Sequence, residues 1–198
     1  GVLTITGSTI TNNEANNDYY GVGSGGGISN AGTLTITGST INENVAYSWL
    51  GYAGGGGISN SGNLDISSSM ILNNASDAFL GATGGGIQDN GTTIIDDTTV
   101  KTNMASARVA FGGGIYSSEW LTINNSRIEG NDASGDDNRK GGGVLATGFS
   151  SISGSIFTGN QAGSSQYVYS YFSIGAIANY GNMTISNSTI SSNDNDKG

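Results

Sequence analysis

The chain contains no cysteine, no proline and no histidine. Without cysteine there is no disulfide, and the compartment is left open by that count. Without histidine no serine or threonine can be a histidine-activated nucleophile. Cationic residues are scarce, six against fifteen acidic ones, for a net charge of −9. Arg108, Arg127 and Arg139 are scattered rather than striped, and binding a phosphate backbone needs a basic surface, so nucleic acid is not expected as a partner. No apolar run approaches the roughly 18 residues that cross a bilayer, so this segment is not expected to insert into a membrane. Only 11% of the residues are charged and 35 are glycine. That composition would suit a disordered segment if the sequence had no period. An acidic, hydroxyl-rich, lysine-poor chain points to an extracellular or cell-surface location.

The period is plain. Seven asparagines (Asn13, Asn44, Asn74, Asn103, Asn131, Asn160 and Asn193) each follow a bulky apolar residue by three positions: Ile10, Ile41, Ile71, Val100, Ile128, Phe157 and Ile190. Self-similarity at a fixed spacing is the mark of stacked repeats. The residue after each glycine cluster serves as an origin: Ile28, Ile58, Ile87, Ile115, Val144 and Ile177. Hydrophobes then recur eight and thirteen positions on, and the asparagine sixteen on, without one insertion. All length variation lies between the asparagine and the next origin. The repeat is a rigid block followed by one variable loop.

Within the block apolar and polar residues alternate, as in Leu34-Thr35-Ile36, the period of a strand. Three short strands per coil are expected: the glycine-cluster stretch, the Leu-Thr-Ile stretch, and the Ser-Thr-Ile stretch that leads to the asparagine. Gly32, Gly62, Gly91, Gly148 and Gly181 mark the first turn, where positive φ is expected. Gly38, Ser68, Asp97, Asn125, Gly154 and Asn187 fill the second. One such triplet cannot bury its own apolar face, whereas coils stacked about 4.8 Å apart can. The fold expected is all-β: a right-handed parallel β-helix of about seven coils, 28 to 33 residues each. The six-residue units of a left-handed helix and the helical return of a leucine-rich repeat are absent. Residues 1–198 read as one solenoid domain, a rod roughly 30 Å long. No polar cap is evident at either end, so the chain is expected to be a segment of a longer solenoid or a subunit stacking end to end.

The asparagine column reads as scaffold. An amide has two donors and an acceptor, and stacked amides can bond one another and the bent backbone beside them. Ser8, Ser39, Ser69, Thr98, Ser126, Ser155 and Ser188 share inward parity and read as a hydroxyl stack. Ala15, Ala46, Ser76, Ala105, Ala133 and Ala162 read as a column kept small by a crowded loop exit.

A Gly-Gly-x-hydrophobe element paired with a later hydrophobe-x-x-Asn element resembles the chlamydial polymorphic outer-membrane protein repeat. Phe157-Thr158-Gly159-Asn160 matches that family's Phe-x-x-Asn literally, and the other coils carry Ile or Val in place of Phe. The resemblance spans the chain, and such repeats are shared by many bacterial secreted β-helix proteins. It implies a surface-displayed passenger that acts in adhesion.

The expected contact surface is the loop edge, which carries Tyr19, Tyr20, Tyr47, Trp49, Tyr52, Phe79, Phe111, Tyr167, Tyr169, Tyr171 and Phe172. Aromatics there could stack on sugars or pack on a partner, or fold over the glycine strand and cover it. The longest loop, residues 161–176, is the first choice. Asp65 and Asp96 are the best catalytic pair, outward-facing and about 8 Å apart; a pectate-lyase-like enzyme would use them, but no acid-raising pocket or cation accompanies them. No metal site is assigned. Asp96-Asp97, Asp132, Asp136-Asp137 and Asp194/Asp196 leave Ca²⁺ as the one cofactor open. Thr4, Thr6, Thr33, Thr35, Thr37, Thr92, Thr122 and Thr184 give the second strand a threonine-rich face that an ice-binding solenoid would use, interrupted at Asp65, Ile94, Asp96, Trp120 and Phe149. The leading expectation is a non-enzymatic structural or adhesive rod, a stalk, adhesin passenger or fibre subunit. Its partners would be its own copies, surface glycans, or proteins of a host or neighbouring cell.

Overall fold

Strand Thr33–Thr37 turns Leu34 and Ile36 inward and its three threonines outward. The same alternation recurs a coil later in Asn63–Ser67, which pairs with it in parallel, Leu64 against Leu34 and Ile66 against Ile36. Repeated along the chain, this pairing builds a β-solenoid. A computed structural model describes residues 1–163 and 173–195, and among them there is no helix. Each coil runs from the first sheet (Ile58–Asn60) through the second (Asn63–Ser67) to the third (Met70–Leu72), then into a fourth (Ala75–Ala78 and Gly81–Thr83) and back. The second and third sheets have seven strands and the first has six. Four columns fill the core: Ile58, Ile87, Ile115 and Val144; Leu34, Leu64 and Leu121; Ile36, Ile66, Ile95, Ile123 and Ile152; and Ile41, Ile71, Val100, Ile128 and Phe157. All are essentially inaccessible to solvent, and each contributes about 1.5–3 kcal/mol by leaving water.

The fourth sheet occupies the segment that reads as variable loop. Val45–Ser48 alternates like the other strands, but Ala46 and Ser48 face in where isoleucine stands elsewhere. Its inner faces meet in thin alanine clusters, Ala46 with Ala53 and Ala78, and Ala82 with Ala105, Ala110 and Ala133. The small column is therefore the core of a narrow lobe rather than a crowded exit. In two coils the lobe strand is continuous, Met104–Phe111 and Asp132–Lys140, with an irregular register between Ala107 and Val109. Length variation is absorbed at the outer bend of this lobe.

The glycines act differently from expectation. Gly32, Gly62, Gly91, Gly148 and Gly181 do not have positive φ. A Cβ on any of them would lie 1.9–2.2 Å from a carbonyl oxygen of the preceding coil. They are small because adjacent coils nearly touch there. Left-handed backbone is found instead in the second turn, from Gly38 and Ser68 to Asn187, and just before the asparagine, where Glu43 and Thr102 adopt it without being glycine. In each glycine cluster the three positions have three causes. Gly84 has φ +58°; a Cβ on Gly85 would lie 2.3 Å from the Met104 oxygen; one on Gly86 would lie 2.8 Å from the Gly114 oxygen of the next coil and 3.0 Å from the Asn103 side-chain carbon. The last glycine makes room for the next coil's backbone and for the asparagine of its own coil, and Gly27, Gly57, Gly114 and Gly143 repeat this.

The asparagine ladder is saturated. Asn103 Oδ1 accepts from Asn74 Nδ2 at 2.9 Å and from the Asn74 backbone N–H at 3.0 Å. Asn103 Nδ2 donates to Asn131 Oδ1 at 3.0 Å and to the Ile71 carbonyl at 2.9 Å. The pattern repeats from Asn13 to Asn193. The hydroxyl column is a second ladder. Each backbone N–H donates to the next coil's hydroxyl oxygen, as from Ser69 to Thr98 at 3.2 Å, and each hydroxyl donates to the carbonyl two residues before it.

Candidate functional site

Because the fourth sheet is pleated, alternate residues of its strands project from its outer face. Tyr47 and Asp77 are opposed in register there, with Ser106 beside Asp77 and Ser134 beside Ser106. Where the lobe bends, Trp49 and Phe79 stand out into solvent, Trp49 with 62% of its surface exposed. Two hollows meet at Phe79. One of about 370 Å³ is lined by Tyr47, Trp49, Leu50, Asp77 and Phe79. The other, of about 240 Å³, is lined by Phe79, Ser106, Arg108, Ser134 and Asp136. Arg108 is held by Asp137 at 2.6 Å, with both side chains half exposed, so the pair orients the guanidinium but adds little stability. The cleft thus has an aromatic half and a charged half.

Of the aromatics expected at the loop edge, the structure brings Tyr47, Trp49 and Phe79 together. Tyr19 and Tyr20 form an exposed edge-to-face pair with ring centroids 6.1 Å apart. Tyr52 is exposed beside Gly81, and Phe111 is half-buried with the Lys140 ammonium 5.8 Å from its ring. Tyr167, Tyr169, Tyr171 and Phe172, with most of the segment chosen first, lie outside the described residues.

The carboxylates are dispersed. Asp65 faces Ile94 and Asp96 faces Ser67, so two register positions separate them on adjacent strands. Asp96 accepts from the Asn125 amide at 3.2 Å and Asp97 from the Ser68 hydroxyl at 3.1 Å. Asp132 accepts from the Gly163 backbone N–H at 3.0 Å. Glu129 pairs with Arg127 and with Lys101. Asp194 is described, and Asp196 is not. Among the described residues, no three acidic groups gather as a metal cradle would require. The threonine face keeps register only where Thr4 meets Thr35 and Thr6 meets Thr37; Asp65 and Ile94 then continue the first of these columns.

A buried acidic residue escaped the sequence reading. Asp89 is fully buried at the end of the first sheet. Its Oδ1 accepts from Asn60 Nδ2 at 2.8 Å and the Gly91 N–H at 3.1 Å, and its Oδ2 accepts from the Ser117 hydroxyl at 2.9 Å. Asn30 Nδ2 donates to Asn60 Oδ1 at 2.7 Å, so the column Asn30, Asn60, Asp89, Ser117 is a third polar ladder. Asp89→Asn keeps every acceptor at Oδ1 and gives Ser117 a donor, so urea unfolding should place it within about 1 kcal/mol of the parent. Asp89→Leu strands three donors and should lose about 3–5 kcal/mol.

Comparison with family models, curated proteins and solved structures returns no match. The functional reading therefore rests on the geometry of the chain itself.

Proposed function

We propose that the chain is a non-enzymatic extracellular β-solenoid, a stalk or adhesin passenger that presents the fourth-sheet cleft to a surface glycan or to a protein of a host or neighbouring cell. The observation that carries this reading is the group of half-buried Tyr47 with exposed Trp49 and Phe79 at the bend of the lobe. Large aromatic side chains normally leave water, and a cluster held out at a bend between paired strands is what a contact site requires. Trp and Tyr are also the side chains most often found as binding anchors. The saturated ladders behind the cleft supply stiffness, which limits the entropy lost on binding. The resemblance to chlamydial surface-protein repeats supports display on a bacterial surface, and stacked coils suit a projecting rod. Lateral or end-to-end association of copies belongs to the same proposal.

The test is adhesion of the purified chain to glycan arrays and to intact cell surfaces. Trp49→Ala and Phe79→Ala should each weaken adhesion by about tenfold or more, the effect expected of an anchor residue, while the circular dichroism spectrum stays unchanged. Undiminished adhesion in both variants would rule out the cleft.

A further inference from the structure

The second sheet carries an aromatic stack outside the cleft. Trp120 and Phe149 are opposed in register on neighbouring coils. Their rings lie 4.6 Å apart and 17° from parallel, close to the strand spacing of about 4.8 Å. They stand up from the sheet like successive pages, with 55% and 48% of their surfaces exposed. The next position in the column is Asn182. Its side chain is short, and the stack stops one rung early. A hollow of about 460 Å³ opens there, lined by Trp120, Thr122, Phe149, Ser151, Asn182 and Thr184. On the other side of the stack the next residue is Thr92, which does not line it.

The hollow has a polar rim. At the end of these strands outward polar groups are engaged across coils: Thr37 with Ser67 at 3.2 Å, Ser153 with Asn124 at 2.7 Å. The side chains of Thr122, Ser151, Asn182 and Thr184 make no such bond among the described residues.

We infer that the hollow is a binding site for a neutral hexopyranose unit of a polysaccharide. A pyranose ring has a face of C–H bonds and a rim of hydroxyls. Its C–H face would rest on the open face of Phe149, where the aromatic quadrupole is negative, and fill the missing rung. Its hydroxyls would meet the Asn182 amide and the Ser151 and Thr184 hydroxyls, each able to donate and accept. None of the lining residues is charged, and the chain carries −9 overall, which disfavours acidic sugars. This site is independent of the fourth-sheet cleft.

The chain has two tryptophans, so its indole N–H resonances form a two-signal reporter, assigned with Trp49→Phe. The probes are hexasaccharides of glucose, mannose, galactose and N-acetylglucosamine. At least one should shift the Trp120 signal and leave the Trp49 signal in place, with a dissociation constant at or below the millimolar range, about −4 kcal/mol. Phe149→Ala should weaken that titration about tenfold, and Asn182→Ala several-fold, with Phe149→Leu as a bulk-retaining control on folding. Silence of the Trp120 signal up to about 10 mM probe, a level at which even weak sites fill, would overturn the site. So would a titration that Phe149→Ala leaves intact, or a slower-sedimenting sugar-free Phe149→Ala protein, which would make the stack an interface between copies.

Discussion

Asn103→Leu should remove about 3–6 kcal/mol of stability, against a whole-domain stability of about 5–15 kcal/mol. The magnitude follows from what is stranded rather than from what is lost. The leucine leaves the Asn74 backbone N–H and one Asn74 amide hydrogen with no acceptor, and the Ile71 carbonyl and Asn131 Oδ1 each lose a donor. Each buried orphan costs about 1–3 kcal/mol. Asn103→Asp should be nearly as damaging. It keeps the accepting oxygen but sets a carboxylate against the Ile71 carbonyl and Asn131 Oδ1 where an N–H₂ had donated. Asn13→Leu is the control, because Asn13 is exposed and gives its N–H and amide hydrogen to Asn44 rather than accepting from another rung. It should cost about 1 kcal/mol, since water replaces its bonds. Equal losses at Asn103 and Asn13 in urea unfolding would mean that the ladder's buried rungs are not what holds the coils.

Gly85→Ala should be as severe, by a different cause. The new methyl would sit 2.3 Å from the Met104 oxygen and 2.4 Å from its carbonyl carbon, with the Gly113 oxygen at 2.5 Å. All three atoms are backbone, so no rotamer change can clear them, and a loss of at least about 3 kcal/mol or failure to fold is expected. Gly38→Ala separates packing from backbone conformation. Gly38 has φ +57° but nothing within 4 Å of its would-be Cβ, and Ser68, Asp97 and Asn125 already occupy equivalent turns with φ of 46–47°. Its cost should be about 1 kcal/mol. Thermal melts in which the two variants match would show that left-handed backbone, not coil contact, governs the glycines.

The parts of the fold that were legible in the sequence are those where one chemical type repeats. Ile36, Ile66, Ile95, Ile123 and Ile152 state the core column without ambiguity, and the asparagines state the ladder. The fourth sheet was not legible because its inward residues are alanine and serine, which carry period two without a hydrophobic signal. The glycine turn at Gly62 was located correctly but for the wrong reason, since a spacing does not distinguish a left-handed residue from one pressed against the next coil. Asp89 was missed because its column mixes Asn, Asp and Ser, and only their shared hydrogen bonds make them one feature. Trp49 and Phe79 were evident as edge aromatics. Their grouping required the fold-back of the lobe, and Trp120 and Phe149 registered only as breaks in a threonine row.

The asparagine ladder has one direction. Every interior rung hands its backbone N–H and an amide hydrogen to the rung that follows, and receives the same pair from the rung before. Neighbouring coils are therefore interchangeable parts. Removing the stretch between equivalent positions of two coils, for example from Asn74 to Asn103, would rejoin the same donors to the same acceptors along this column. As far as the asparagine column is concerned, copy number is then a free variable, and whole coils can be added or removed with the ladder intact.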